Sequence, residues 1–394
     1  MRKQKGTRIA LVGLLAFAGL TQEASALPMF VQQTGMDCSG CHVQHMPRLN
    51  KFGRKFAASG MTMSQKIADM NEESVMDLNP SLLLKSKFTR TYDKPDGNGG
   101  IKEDDTNDGD LSPVRMATFT YGGRVNANVG GMLNLGWRKE EGRSISGKVT
   151  YVNEIEDGYW GLTAYSTSSL GPFAGMEFYN TGLYKPLRAF DMRIYSNANQ
   201  STKIGAQSAT GLQVYYDKDN FINTSDHFFF TVGVYTPAQD NVNADIQMTG
   251  NVLPFARIAY EHPIGHYNVI LGAFAIAGGE HVSDTQAISI NRETYGMDLQ
   301  IEGDIADKET TITLTNVFRN KVDYTGIGAQ LSDDTEDIYN DSFSVEGVMS
   351  VTPEVALKAG YMTFNDLFDY RYNNNAANKI NVKDLDYAIN VGVD

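Results

Sequence analysis

Tyr295-Gly296-Met297-Asp298-Leu299-Gln300-Ile301-Glu302 puts a large apolar side chain at every second position, with a polar residue or glycine between. Successive side chains on a strand point to opposite faces, so this period of two describes a strand with one apolar and one polar face. The same period recurs on both sides of it. Val149, Tyr151 and Ile155 alternate with Lys148, Thr150 and Glu154, and Phe228, Phe230, Val232 and Val234 alternate with Thr231, Gly233 and Tyr235. Ile312, Leu314, Phe318, Val322 and Tyr324 alternate with Thr311, Thr313, Arg319, Lys321 and Asp323. From Pro80 to Asp394 the chain accommodates about sixteen such segments, at close to twenty residues per strand and connection.

The connections differ in kind. Tight ones fall at Glu156-Asp157-Gly158, His262-Pro263-Ile264-Gly265, Ala306-Asp307-Lys308 and Thr352-Pro353-Glu354. Long polar ones run from Tyr92 to Ser112, Pro237 to Gly250, Thr325 to Asp337 and Arg371 to Lys379. Short turns at one end, long loops at the other and abundant Tyr and Phe are the requirements of a bacterial outer-membrane barrel. A soluble double sheet or propeller has the same alternation. Two features favour the membrane: after the first 26 residues there is no apolar run long enough for a spanning helix, and bilayers admit only helices or closed barrels; and no cysteine is available to cross-link the sheets.

The N-terminus carries Arg2, Lys3, Lys5 and Arg8, then the apolar run Ile9 to Leu20, then Ala24-Ser25-Ala26. This reads as a secretory signal over 1–26, cleaved before Leu27, since the run is too short to cross the roughly 30 Å hydrocarbon core. Its removal takes four of 34 basic and one of 47 acidic residues, leaving 30 against 46 and a net charge of −16. That balance excludes nucleic acid as a partner.

Both cysteines of the chain lie in Cys38-Ser39-Gly40-Cys41-His42, the C-x-x-C-H attachment sequence of c-type haem. Two intervening residues let both sulfurs reach the two vinyl-derived carbons on one porphyrin edge, and the adjacent histidine is delivered to the iron as proximal ligand. One covalent haem c is therefore expected on Cys38 and Cys41, with His42 as axial ligand. A thioredoxin-like pair needs a βαβ context, and the other five histidines have no zinc-finger spacing. His45 and Met46 follow His42 too closely to reach the other face of the haem. Met61 and Met63, beyond Gly53 and Gly60, are the candidates for a distal thioether, which raises the potential; packing on the porphyrin is the other reading of each. A segment from Leu27 to about Met76 is too small for a core of its own, so the remainder of the chain is expected to complete it. The organisation expected is a haem c segment over 27–79, with short helices, and a β-barrel over 80–394.

Asp104-Asp105-Thr106-Asn107-Asp108-Gly109-Asp110 offers hard oxygen ligands suited to a divalent cation, without EF-hand spacing; a solvated loop is the plainer reading. Asp333, Asp334, Glu336 and Asp337 form a second acidic stretch on a long connection.

Phe30-Val31-Gln32-Gln33-Thr34-Gly35-Met36-Asp37-Cys38, followed by Pro47, Leu49 and Phe52-Gly53-Arg54-Lys55-Phe56, resembles the fused cytochrome-porin family of outer-membrane iron oxidases. The order of parts is similar as well: signal, one C-x-x-C-H, then a porin-like barrel. Where that family often has Gly-Tyr, this chain has Gly60-Met61. The resemblance implies electron transfer across the outer membrane. Extracellular Fe(II) reduces a haem that plugs the barrel, and the electron leaves to a periplasmic cytochrome or cupredoxin. It also implies that Arg54 pairs with a haem propionate, a surface arginine being the alternative. Another external donor or acceptor, and a porin whose haem is structural or sensory, are the other function classes.

Overall fold

The computed structural model describes residues 28–43, 49–64, 76–91, 107–138, 142–166, 174–176, 209–237, 252–283, 288–325, 338–339, 342–352, 355–365 and 385–393. The secretory signal, His45, Met46 and the acidic stretch at 333–337 lie outside them. Three short helices come first: α1 Pro28–Thr34, α2 Cys38–Cys41 and α3 Lys51–Ala58. Everything after them is strand and turn. The strands are β1 Asp77–Thr91, β2 Asn107–Arg124, β3 Val129–Arg138, β4 Gly142–Ile155, β5 Gly158–Ser166, β6 Ala209–Asp219, β7 His227–Pro237, β8 Leu253–Ile264, β9 Tyr267–Ser283, β10 Ile288–Ile305, β11 Lys308–Thr325, the two-residue β12 Ile338–Tyr339, β13 Ser342–Thr352, β14 Val355–Asn365 and β15 Leu385–Val393.

They make one antiparallel sheet in which each strand pairs with its neighbours in sequence, β12 pairing with β11 beside β13. Among the described residues the ladder runs through fourteen strands with β12 attached, against the sixteen or so anticipated. Two-residue turns join β4 to β5, β8 to β9 and β10 to β11. In the last, Ala306 and Asp307 both have positive φ, 53° and 58°, the mirror-image turn whose twist matches that of the strands. These turns share one end of the sheet with the four-residue link β2–β3 and the loop 220–226; the opposite end carries the longer connections, of which 167–208 is the longest.

One expected connection is shorter than the sequence suggested. β2 starts at Asn107, and the β1 pairing continues through Thr89↔Asp110 and Thr91↔Asn107, so half of the acidic stretch is extended strand rather than a ligand loop. Backbone pairing satisfies a donor and an acceptor per residue, which a solvated loop leaves to water. Among the described residues, no three His, Cys, Asp or Glu side chains form a metal-holding group.

The two faces of the sheet are inverted relative to a soluble protein. Val149 is 57% exposed and its neighbour Lys148 7%; Val232 is 42% exposed and Thr231 fully buried. Leu133, Trp137, Val214, Ile258, Leu271 and Met297 are exposed, while Thr163, Gln213, Arg257, Asp298, Gln300 and Glu346 are buried. Charged residues are almost never buried without partners, and large apolar faces are rarely left open to water. The buried face is the concave one. Arg124 of β2 donates to the Thr62 carbonyl at 2.8 Å, Tyr215 of β6 to the Ala58 carbonyl at 2.6 Å, and Arg54 of α3 reaches β10. Strands β2 and β10 are eight spacings apart, about 38 Å across a flat sheet. Residues 54 and 62, joined by one short helical stretch, touch both. The sheet therefore curls round the N-terminal segment.

Candidate functional site

Cys38 and Cys41 occupy the ends of the four-residue α2, so the two thiols stand one helical turn apart, on the same side. Both are free and half-buried, and His42, also half-buried, closes the turn by donating its backbone N–H to the Cys38 carbonyl at 3.0 Å. Burial, and then the neighbouring Cys38, push the Cys41 thiol above its ordinary pKa. Two adjacent, reachable sulfurs followed directly by an imidazole are the donor set that a covalently attached haem requires, so the residues fit that group.

The turn is held from behind by one residue that the sequence reading passed over. Asn50 donates through Nδ2 to the Ser39 and Gly40 carbonyls at 3.2 and 3.1 Å, and its backbone N–H donates to the Cys41 carbonyl at 2.9 Å. Its Oδ1 meanwhile accepts from Gly53 N at 2.9 Å, which caps α3. Three carbonyls of α2 that the short helix cannot satisfy are thus met by the N-cap of the next. The helices approach so closely that a Cβ on Gly53 would lie 2.0 Å from the Cys41 oxygen, so only glycine fits.

One residue further on, Arg54 turns into the sheet. Its Nε and Nη2 each lie 2.9 Å from an oxygen of Glu261 on β8, and Nη1 and Nη2 donate to Glu302 on β10 at 2.7 and 3.2 Å. Nη1 also binds the Leu49 carbonyl, and Leu49 bridges His42. Asn268 donates to both carboxylates and Gln300 to Glu302. Glu261 in turn faces His227, which is 2.8 Å from Asp217. Burial opposes the Arg54 charge, but the two carboxylates outweigh it and hold the guanidinium ionised well above its ordinary range. Arg54 is neither a surface residue nor open to a propionate: Glu261 and Glu302 take its forks. A Glu on the inward side of a strand, three residues before a tight turn, was the sequence signal, and it occurs in both β8 and β10.

No family model matches the chain, and no curated protein does. Among solved structures it is similar to OmpT (in-vitro folded), an outer membrane protein of Vibrio cholerae, with 8% identity and a TM-score of 0.34 over 73% of this chain and 86% of that one.

The segment's contacts with the sheet lie close to the short-turn end. Lys55 Nζ meets Asp219 at 3.0 Å and Lys51 Nζ donates to the Ser225 carbonyl at 3.3 Å, while Glu261 and Glu302 each stand three residues from the end of their strands. Met61 is buried, with φ at 63°, and its carbonyl, like that of Met63, accepts from Gln33 Nε2, at 2.7 and 2.6 Å. Both therefore lie beyond the end of α3 remote from the Gly53–Cys41 contact, pinned to α1.

Proposed function

We propose that this chain is an outer-membrane electron-transfer protein. Its sheet closes as a barrel of about sixteen strands, and a single haem c on Cys38 and Cys41, ligated through His42, sits in an N-terminal segment seated in the barrel. The haem supplies a one-electron centre; everything else is done by the chain, which holds that centre inside an insulating wall. The observation that carries the reading is the clamped C-x-x-C-H turn, fixed through Asn50 and Arg54 to the polar face of an inside-out sheet.

The outward face supports the bilayer. At the short-turn end Trp160 stands opposite Tyr216 and Phe228 opposite Tyr260, and Phe221 of the β6–β7 loop stacks on Phe228 at 4.4 Å. Aromatic girdles of this kind flank the apolar band of outer-membrane barrels. Short turns are periplasmic in such barrels, which puts the haem motif on the side of a periplasmic cytochrome or cupredoxin acceptor. Extracellular Fe(II) is the donor we assign, from the resemblance of the haem segment to the cytochrome-porin family. Fractionation, followed by spectroscopic titration of the purified protein with Fe(II), tests it: membrane partition and haem reduction are expected, and recovery from the soluble periplasm overturns the membrane assignment.

A further inference from the structure

Strands β8 and β10 carry two ion-paired tiers, four residues apart. The lower is Glu261 and Glu302 around Arg54; the upper is Arg257 and Asp298, joined at 2.6 and 2.9 Å. Four residues of strand separate them by about 13 Å, toward the long-loop end. Arg257 and Asp298 belong to strands that do not pair with each other, β9 lying between. They meet because the intervening position is Gly272, whose added Cβ would lie 2.6 Å from an Asp298 oxygen and 2.8 Å from Arg257 Nη2.

Arg257 has a third bond. Its Nε donates at 2.6 Å to the carbonyl of Met176, which lies in the long β5–β6 connection. Ala174 and Met176 are buried in an apolar cluster with Tyr235, Leu253, Phe255 and Phe274, all on the concave face. Between them Gly175, at φ +92°, is pressed against α3: a Cβ there would be 2.8 Å from Arg54 Cα and 3.1 Å from Ala57 Cβ. In a water-filled channel lumen-facing side chains are wet. Here Gln213, Thr231, Thr294 and Thr311 on that face are all buried.

Resting on the barrel reading above, we propose that Ala174–Met176, latched by Arg257 and Asp298 onto the back of α3, is a second closure of the lumen, so that the chain passes electrons and not solutes. The haem segment fills the short-turn half and the β5–β6 connection covers it from the other side.

Planar-bilayer recording on the mature, haem-loaded protein tests this, with Arg257→Gln and Asp298→Asn as independent variants should either misfold. The wild type is expected to be electrically silent. Each variant removes charge-assisted bonds from the latch, which shifts its closed–open equilibrium and raises conducting time about tenfold or more. Haem staining and absorption should stay as in wild type. Steady porin-sized conductance by the wild type, or variants as silent as wild type, overturns the proposal. So does Arg54→Ala opening the lumen as far as Arg257→Gln, because the haem segment would then be the whole closure. Failure to insert into the bilayer sinks the barrel reading instead, and absence of haem sinks only the electron-transfer reading.

Discussion

Arg54 and Glu261, 207 residues apart in sequence, face each other fork to fork with both nitrogen–oxygen separations at 2.9 Å. A bidentate pair fixes orientation as well as distance. Because Arg54 follows the glycine packed on Cys41, the geometry of the pair sets where the haem motif sits in the sheet.

Arg54→Ala leaves Glu261 and Glu302 buried without their counter-charge, a loss of about 3 to 5 kcal/mol. The expected outcome is undocking: limited proteolysis should release the N-terminal segment while the sheet stays intact. Arg54→Lys keeps the charge and loses the fork, and should fall between. Rescue of Arg54→Met by Glu261→Gln with Glu302→Gln, scored by the same proteolysis, separates charge burial from lost packing.

Asn50 has two tasks that substitution can separate. Asn50→Asp keeps the helix cap but cannot donate to the Ser39 and Gly40 carbonyls; Asn50→Ala loses both, at about 1 kcal/mol for the cap alone. Haem attachment should survive in each. Redox titration is expected to give a shifted or broadened midpoint in both, since the turn carrying His42 is loosened, whereas helix stability should drop only with alanine. Unchanged potentials in both variants would make Asn50 a cap and nothing more.

Val232 points outward at mid-strand. Arginine there costs about 2 to 4 kcal/mol against lipid, and within about 0.5 kcal/mol on a solvated surface. Unfolding in detergent micelles and vesicles, set beside Leu299→Arg and Leu314→Arg, distinguishes the two. The alternation alone suggests that Gln300→Arg and Thr313→Arg, on the polar face, are tolerated. Both positions are buried, and Gln300 binds Glu302, so loss of stability is now expected there as well.

The strands were legible because their pattern is local: Tyr295 to Glu302 states its two faces without reference to any partner, and Glu156-Asp157 names its own turn. The C-x-x-C-H turn is equally local. What escaped was set by distance. Nothing near Arg54 in sequence announces carboxylates on β8 and β10, and Asn50 reads as an ordinary cap until α2 is folded against it. The concave face misled for a different reason. Phe228-Phe229-Phe230 is apolar throughout, so alternation cannot say that Phe229 points inward to meet Tyr215, and Phe255 and Phe274 join the same inward core. A polar lumen was the simple expectation; part of it is packed like a protein interior. The acidic stretch at 104–110 was divided by a strand that ladder pairing extended past Ser112, a choice made by β1 rather than by the acidic residues themselves.

The most direct test is to titrate the purified mature protein with Fe(II) while recording its absorption spectrum, then to denature it and stain for haem, alongside Cys38→Ala/Cys41→Ala. The account predicts a reduced c-type haem spectrum on Fe(II) addition, stain that stays with the denatured wild-type chain, and none on the double variant. A stained double variant, or a wild-type chain that carries no covalent haem or whose haem Fe(II) leaves oxidised, would contradict it.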